Sequence, residues 1–341
     1  MGVRLKLNHS KILVIRPDRL GDVILSTPVL GTLKSAFPEA QIDFMVQPFV
    51  QSLFESHPWI SGILTYEPQG RHRGVLGWFR LVREISSRKY DAAIVLHSNK
   101  RVTAAVVASM IPLRVGPLSK FHSYLSFNLG KRQKRSLVKM HELEYGLDLL
   151  TELSVDPFSN IHSPQIRLSQ ESNEKAVEWM KTQQLESGFV GIHPGMGGSA
   201  LNWPEGHYQE LVRRLYESQI PVLVTGGPSE KELVQSVSQK LPGVWTYTGQ
   251  ENLAFLGALI RNASVYVAPS TGPLHLAAAL GVPVVSFYPD LLVQSEKRWG
   301  PWTPSSQKKV FTPLIKGEMG SISVDLAFDA IHSFFKRSEA L

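Results

Sequence analysis

Lys11 to Asp22 reads KILVIRPDRLGD: an apolar run, a basic residue and a proline, then a Leu-Gly-Asp that opens an amphipathic stretch. Four apolar residues in succession, Ile12 to Ile15, suit a strand covered on both faces, as strands of parallel sheets are. Gly21 lets the backbone approach a ligand closely at the turn. Asp22 falls in the first turn of the following helix, where the helix dipole favours an ionised carboxylate. It can act as a base at the edge of a cleft or simply cap the helix, the commonest use of such an aspartate.

Outward from this turn the same alternation recurs. Strands are predicted near Lys11–Ile15, Gln41–Val46, Gly62–Tyr66, Asp91–His97 and Leu113–Gly116, with helices over Val23–Phe37, Gly77–Ser86, Thr103–Met110 and Met140–Leu153. Ser154 to Ser163, rich in Ser, Asn and Pro, reads as a linker. The alternation then restarts, with strands near Phe189–His193, Pro221–Thr225, Val244–Tyr247, Ser264–Ala268 and Pro283–Tyr288 and helices starting near Glu205, Ser229, Asn252 and Gly272. The expected fold is α/β, two Rossmann-like doubly wound parallel-sheet domains facing across a cleft. Residues 1–160 form the N-terminal domain and 161–322 the C-terminal one. A last helix within 323–341, Val324 to Lys336, is expected to pack back on the N-terminal domain.

Composition removes several classes. The chain has 341 residues, 43% hydrophobic and 19% charged, which describes a folded protein long enough for two domains. It has no cysteine, so disulfides, thiolate metal sites and cysteine nucleophiles are excluded. No stretch approaches the roughly 20 apolar residues of a membrane span, and Ile12–Ile15 is too short for a signal-peptide core. The expected location is cytoplasmic. Residues 1–150 carry 21 Lys+Arg against 11 Asp+Glu, whereas residues 151–341 carry 15 against 18. A basic first half suits an anionic membrane surface or a phosphorylated substrate. Nucleic acid is not an expected partner, because no aromatic residues interleave with the basic ones.

Three further stretches lie at predicted strand ends. His193-Pro-Gly-Met-Gly-Gly-Ser199 offers backbone N–H groups to a phosphate from Gly195, Met196, Gly197 and Ser199. Trp203-Pro204 follows it, and packing between domains is the plain reading of Trp203. Thr225-Gly-Gly-Pro-Ser-Glu230 places Glu230 where it can accept from ribose hydroxyls or close a capping box. Ala268-Pro-Ser-Thr-Gly-Pro-Leu-His275 opens a small-residue helix whose first turn, with Ser270, Thr271 and Gly272, forms an anion site. His275 lies one turn inside that helix and is either a hydrogen-bonded core residue or a site residue. There is no Asp-x-Asp pair, HExxH, GxSxG or Walker signature. Neither a metal nor a cofactor is called for.

Taken in order, these four stretches resemble the ADP-heptose:lipopolysaccharide heptosyltransferase family, glycosyltransferase family 9. The match runs from about Lys11 to Tyr288, through Ile15-Arg16, Leu20-Gly21-Asp22 to Pro28, His-Pro-Gly before Trp-Pro, Gly-Gly-Pro and Thr-Gly-Pro-x-His. The resemblance implies a GT-B architecture with the acceptor on the N-terminal domain and the nucleotide-sugar, ADP-heptose, on the C-terminal one. It implies metal-free inverting transfer in which Asp22 takes the acceptor proton. Thr271, Gly272 and His275 would lie along the donor's diphosphate and sugar, and Glu230 would serve the ribose. A basic N-terminal half agrees with an anionic glycolipid acceptor at the inner face of the inner membrane. Arg16, Arg19, Arg71, Arg73 and the Lys131–Arg135 cluster are the candidates to meet it.

Two positions depart from the family pattern. Leu201 stands where many members carry a lysine two residues before the Trp, and Ser270 where many carry an aspartate before Thr-Gly. Arg19, Lys297 or helix N-termini would then offset the leaving diphosphate. The departures leave room for another nucleotide-sugar donor or for a non-catalytic nucleotide-sugar binder. An NAD-type oxidoreductase is disfavoured, since the first loop holds Gly21 without GxGxxG.

Overall fold

The structure is a computed structural model and describes residues 7–119, 121–198 and 200–339. It divides after Gln165 into two compact units. The first holds six parallel strands, β1 (Lys11–Ile15), β2 (Gln41–Val46), β3 (Gly62–Thr65), β4 (Ala92–Val95), β5 (Leu113–Pro117) and β6 (Leu129–Lys131), in the order β3-β2-β1-β4-β5-β6. The second holds β7 (Phe189–Ile192), β8 (Val222–Thr225), β9 (Val244–Tyr247), β10 (Ala263–Pro269), β11 (Val284–Phe287) and β12 (Lys308–Phe311), ordered β12-β11-β10-β7-β8-β9. Counted from its own first strand, each sheet has the same topology. The order in which strands are added reverses between β1 and β4 in one sheet and between β7 and β10 in the other, the places where such sheets bind ligands.

Local chemistry explains the details. Ile12 to Ile15 pair with β2 on one side and β4 on the other and are wholly buried, as their unbroken apolar run required. The helix predicted over Val23–Phe37 is two, Leu20–Ile24 and Thr27–Ala36. Pro28 has no N–H to donate and therefore sits in the first turn of a new helix, and the Thr27 hydroxyl donates to the Ile24 carbonyl at 2.8 Å across the break. The last helix, Val324–Glu339, finds its partner in the second unit, a correction to the expectation that it returns to the first. Ala327 and Ile331 are fully buried in a core shared with Tyr208, Leu211, Val265 and Phe287, and Arg214 pairs with Asp325.

Where the first unit ends, its chain is tied down. The Gln165 N–H donates to the Thr27 hydroxyl at 3.1 Å, and His57 Nε2 donates to the Gln165 carbonyl at 3.1 Å. Trp59 stands edge-on to His57 and to His162 at 5.2 Å each. A Cβ at Gly31 would meet Trp59 and His162 within 3 Å, so only glycine admits this stack. Burial lowers the His57 imidazole to about 4. Among the described residues no helix is long and apolar enough to cross a membrane.

Candidate functional site

The turn after β1 carries a buried charge network. Arg16, 3% exposed, donates its backbone N–H to the Met45 carbonyl and so holds to the strand register. Its guanidinium donates from Nη2 to Asp22 and to Glu142 Oε1 at 3.3 Å, and Nε lies 2.9 Å from Asp18. Glu142 is buried and also accepts from Arg135, which donates onward to the Leu96 carbonyl at 2.8 Å and to Gln133 at 3.0 Å. Three carboxylates thus meet two guanidiniums, a local charge of about minus one. Burial raises the Asp22 carboxyl while Arg16 pulls it down, and the upward shift wins. Burial alone would lower Arg16, yet Asp22, Asp18 and Glu142 outweigh it and raise it further. Asp22 does not cap its helix. The N-cap is Arg19, and the Asp22 carboxylate turns to Arg16 instead. A partly accessible carboxylate of raised pKa, anchored by a buried cation, has the properties of a general base.

Other predicted contacts of the first unit separate by environment. Arg71 is neutralised by Glu67 at 2.9 Å and faces Glu84 at 3.7 Å, so its charge serves the fold. Within the Lys131–Arg135 cluster, Lys131 pairs with Asp148 at 2.6 Å and Arg135 with Glu142. Arg19 and Arg73 are exposed. Glu142 itself gave no signal in the sequence, because its partner Arg16 lies 126 residues away.

In the second unit, three predicted stretches converge at neighbouring strand ends: His193 follows β7, Gly226 follows β8 and Ser270 follows β10. His193 is buried, which lowers its imidazole, and its Nε2 lies 3.7 Å from Glu230. The Thr225 hydroxyl lies 2.7 Å from the Tyr266 phenol and 3.4 Å from His193 Nδ1. Glu230 accepts the Gly227 N–H at 2.8 Å and lies so close over Gly195 that a Cβ there would meet its Oε1 at 1.9 Å. Gly197 and Gly198 both have positive φ, 56° and 69°, with open space where side chains would stand, and Met196 is half-buried beside them. Ser199 lies outside the described residues.

At β10 the Thr271 hydroxyl donates to the Pro269 carbonyl at 3.3 Å, leaving the first turn of the helix Gly272–Ala279 without a side-chain cap. Backbone N–H groups there face outward from a helix start, a favourable place for an anion. Ser270 hydrogen-bonds the Tyr288 phenol. His275 is buried one turn in, and its N–H donates to the Thr271 carbonyl at 3.5 Å. Trp203 is a core residue of this unit, stacked on Phe287 at 4.1 Å with its indole N–H on the Ile322 carbonyl at 3.0 Å. The packing expected between domains is found within one.

Two six-stranded parallel sheets of like strand order match the GT-B fold of solved heptosyltransferase structures. The E. coli ADP-heptose lps heptosyltransferase II has this fold, with a TM-score of 0.80 at 23% identity over 96% of this chain and 99% of that one. A putative glycosyltransferase of Haemophilus influenzae is 27% identical over 96% of this chain and 97% of its own length. Lipopolysaccharide heptosyltransferase 2 of E. coli strain K12 is 26% identical, covering 82% of each. The model of glycosyltransferase family 9 (heptosyltransferase) matches residues 78–313. The chain belongs to that family and is a glycosyltransferase.

Proposed function

We propose that the protein is an inverting, metal-independent heptosyltransferase that moves heptose from ADP-heptose onto a lipopolysaccharide core or a related anionic glycolipid. The Arg16-Asp22-Glu142 network is the observation that carries this reading. Asp22 takes the proton of the acceptor hydroxyl as its oxygen attacks the anomeric carbon from the face opposite the nucleotide, and ADP departs. Arg16 orients the carboxylate and offsets part of the burial that favours its neutral form. In the second unit the backbone of Gly195, Met196, Gly197, Thr271 and Gly272 receives the diphosphate, Glu230 takes the ribose, and Ser270 and His275 border the sugar. Ser199 is assigned to the same phosphate loop by its place in the sequence. Arg19 and Arg73, with Arg132 and Lys134 of the basic cluster, are exposed candidates for acceptor phosphates. Relatives named as lipopolysaccharide heptosyltransferases support the donor and acceptor classes.

The test is transfer from ADP-heptose to a core acceptor. Asp22→Asn should lower kcat about 10²- to 10⁴-fold and leave ADP-induced thermal stabilisation intact, while the wild type should form an inverted linkage in a transfer that EDTA does not inhibit. Near-normal transfer by Asp22→Asn, or loss of turnover in EDTA, overturns the mechanism. Ser270, bonded to Tyr288 where family members often carry a carboxylate, favours one alternative: a different nucleotide-sugar donor. A donor panel read by thermal stabilisation separates the two.

A further inference from the structure

The helices Gly74–Ser87, Lys100–Ala108 and Phe121–Ser126 follow β3, β4 and β5, so all three begin at the carboxyl edge of the first sheet. Their starts are tied together. The Trp78 indole donates to the Arg101 carbonyl at 3.2 Å, Arg101 donates to the His72 carbonyl at 2.6 Å, and the Ser98 hydroxyl meets His122 at 2.9 Å. On this joined edge the outer side chains are apolar: Leu76 is 84% exposed, Phe79 57%, Phe121 83% and Leu125 75%. Scattered exposed apolar residues are ordinary on a protein surface, whereas several on adjoining helix starts mark a site of contact. Leu81 and Ile85 bury the other face of Gly74–Ser87, so core packing does not account for Leu76 and Phe79.

The rim of this crescent chooses its occupant. Arg73, Arg80, Arg83 and Lys100 are exposed on the same two helix starts and their flanks, and Leu76, Arg80 and Arg83 follow one another at helical spacing along one outer stripe. Face-to-face pairing with a second copy would bring like charges together. An anionic lipid surface would instead pair them while its interfacial region takes up the apolar tips, the arrangement of interfacial amphipathic helices. We propose that this edge of the first unit lies in the headgroup layer of an anionic membrane through Leu76, Phe79, Phe121 and Leu125, rimmed by Arg73, Arg80, Arg83 and Lys100. The inference rests on the proposed glycolipid acceptor in one respect: β1 ends at the same sheet edge, so docking turns the Asp22 turn toward the bilayer that holds the acceptor.

The experiment is co-sedimentation of the full chain with vesicles of phosphatidylcholine, with and without phosphatidylglycerol, at low and high salt. Wild type should bind the anionic vesicles and release in salt. The triple variant Leu76→Ser/Phe79→Ser/Phe121→Ser should lose at least tenfold in binding, and Arg80→Glu/Arg83→Glu about fivefold per charge at low salt. Thermal melts and ADP-induced stabilisation verify that the variants fold. Transfer to a soluble, delipidated core oligosaccharide should be unchanged in the triple variant. Equal vesicle binding by wild type and triple variant, absence of wild-type binding, or self-association that the triple variant abolishes would each overturn the proposal. Vesicle binding without any heptosyl transfer would instead sink the assigned reaction and leave the membrane surface standing.

Discussion

The two sheets share one strand order, yet their ligand edges are built from opposite materials. Beyond β1 the first unit buries Arg16 among Asp18, Asp22 and Glu142 and braces Glu142 with Arg135. Beyond β7 and β10 the second unit presents glycine backbone, the Thr271 hydroxyl and a helix start, beside a histidine whose imidazole pKa burial lowers. Topology sets where ligands sit and leaves the chemistry to the side chains at the turns. A base that must lose and regain a proton profits from a fixed counter-charge. On the proposed mechanism a departing diphosphate meets oriented dipoles, which need no reorganisation as its charge develops.

The sharpest way to break this contrast is to remove Glu142, the carboxylate shared by both guanidiniums. Glu142→Ala removes the buried carboxylate that Arg135 donates to, while Arg16 keeps Asp18 and Asp22, and should destabilise the first unit by about 3–5 kcal/mol in urea unfolding. Glu142→Gln, which keeps the shape and one acceptor, should lose less. Protein that remains folded should still be stabilised by ADP, because the second unit's edge takes no part in the network. A Glu142→Ala melt equal to wild type would show that the charges are a solvated cluster with no structural role.

Smaller, and graded, is the response to acid. His57 is buried with its imidazole lowered to about 4, against about 6.5 in the unfolded chain. Between those values the unfolded state binds a proton that the folded state refuses. Its contribution to stability is therefore full above about pH 6.5 and is lost as the pH falls toward 4, at up to about 1.4 kcal/mol per pH unit. His57→Gln should flatten that slope in denaturant titrations across the window. Burial lowers His72 in the first unit and His193 in the second as well, so a shallower slope should remain in His57→Gln.

Much of this contrast could be read in advance, and the missing parts share a cause. Strands β1 and β2 lie where the apolar runs place them, because buried parallel strands have no polar face to blur the pattern. The edge strands β6 and β12 were missed, being three and four residues long and without a fully buried member. The places of Asp22, Glu230 and Thr271 at strand ends were legible because glycine turns and helix starts lie close by in sequence. Glu142 was not, since pairing with Arg16 is a product of the folded sheet. Arg71 misleads in the opposite way: its charge is visible in sequence, while Glu67 and Glu84, which neutralise it, become its partners only on folding.

The smallest effect bears most directly on the neutral character of the donor edge. Leu201 follows the glycine loop proposed to hold the diphosphate and is 43% exposed, just before Asn202, whose amide nitrogen donates to the Pro194 carbonyl at 2.7 Å. Leu201→Lys would place a mobile ammonium beside a site otherwise served by dipoles. An exposed cation near a diphosphate gains on the order of 1 kcal/mol before screening, so ADP affinity should tighten about two- to fivefold at low salt and return toward wild type as salt is added. If backbone groups already satisfy the leaving group, kcat should stay within about twofold, because binding ground state and transition state equally does not speed the chemical step. A rise in kcat of tenfold or more would mean that the helix start and glycine loop leave charge unneutralised at the transition state, and that the contrast between the two edges is a deficit in one of them.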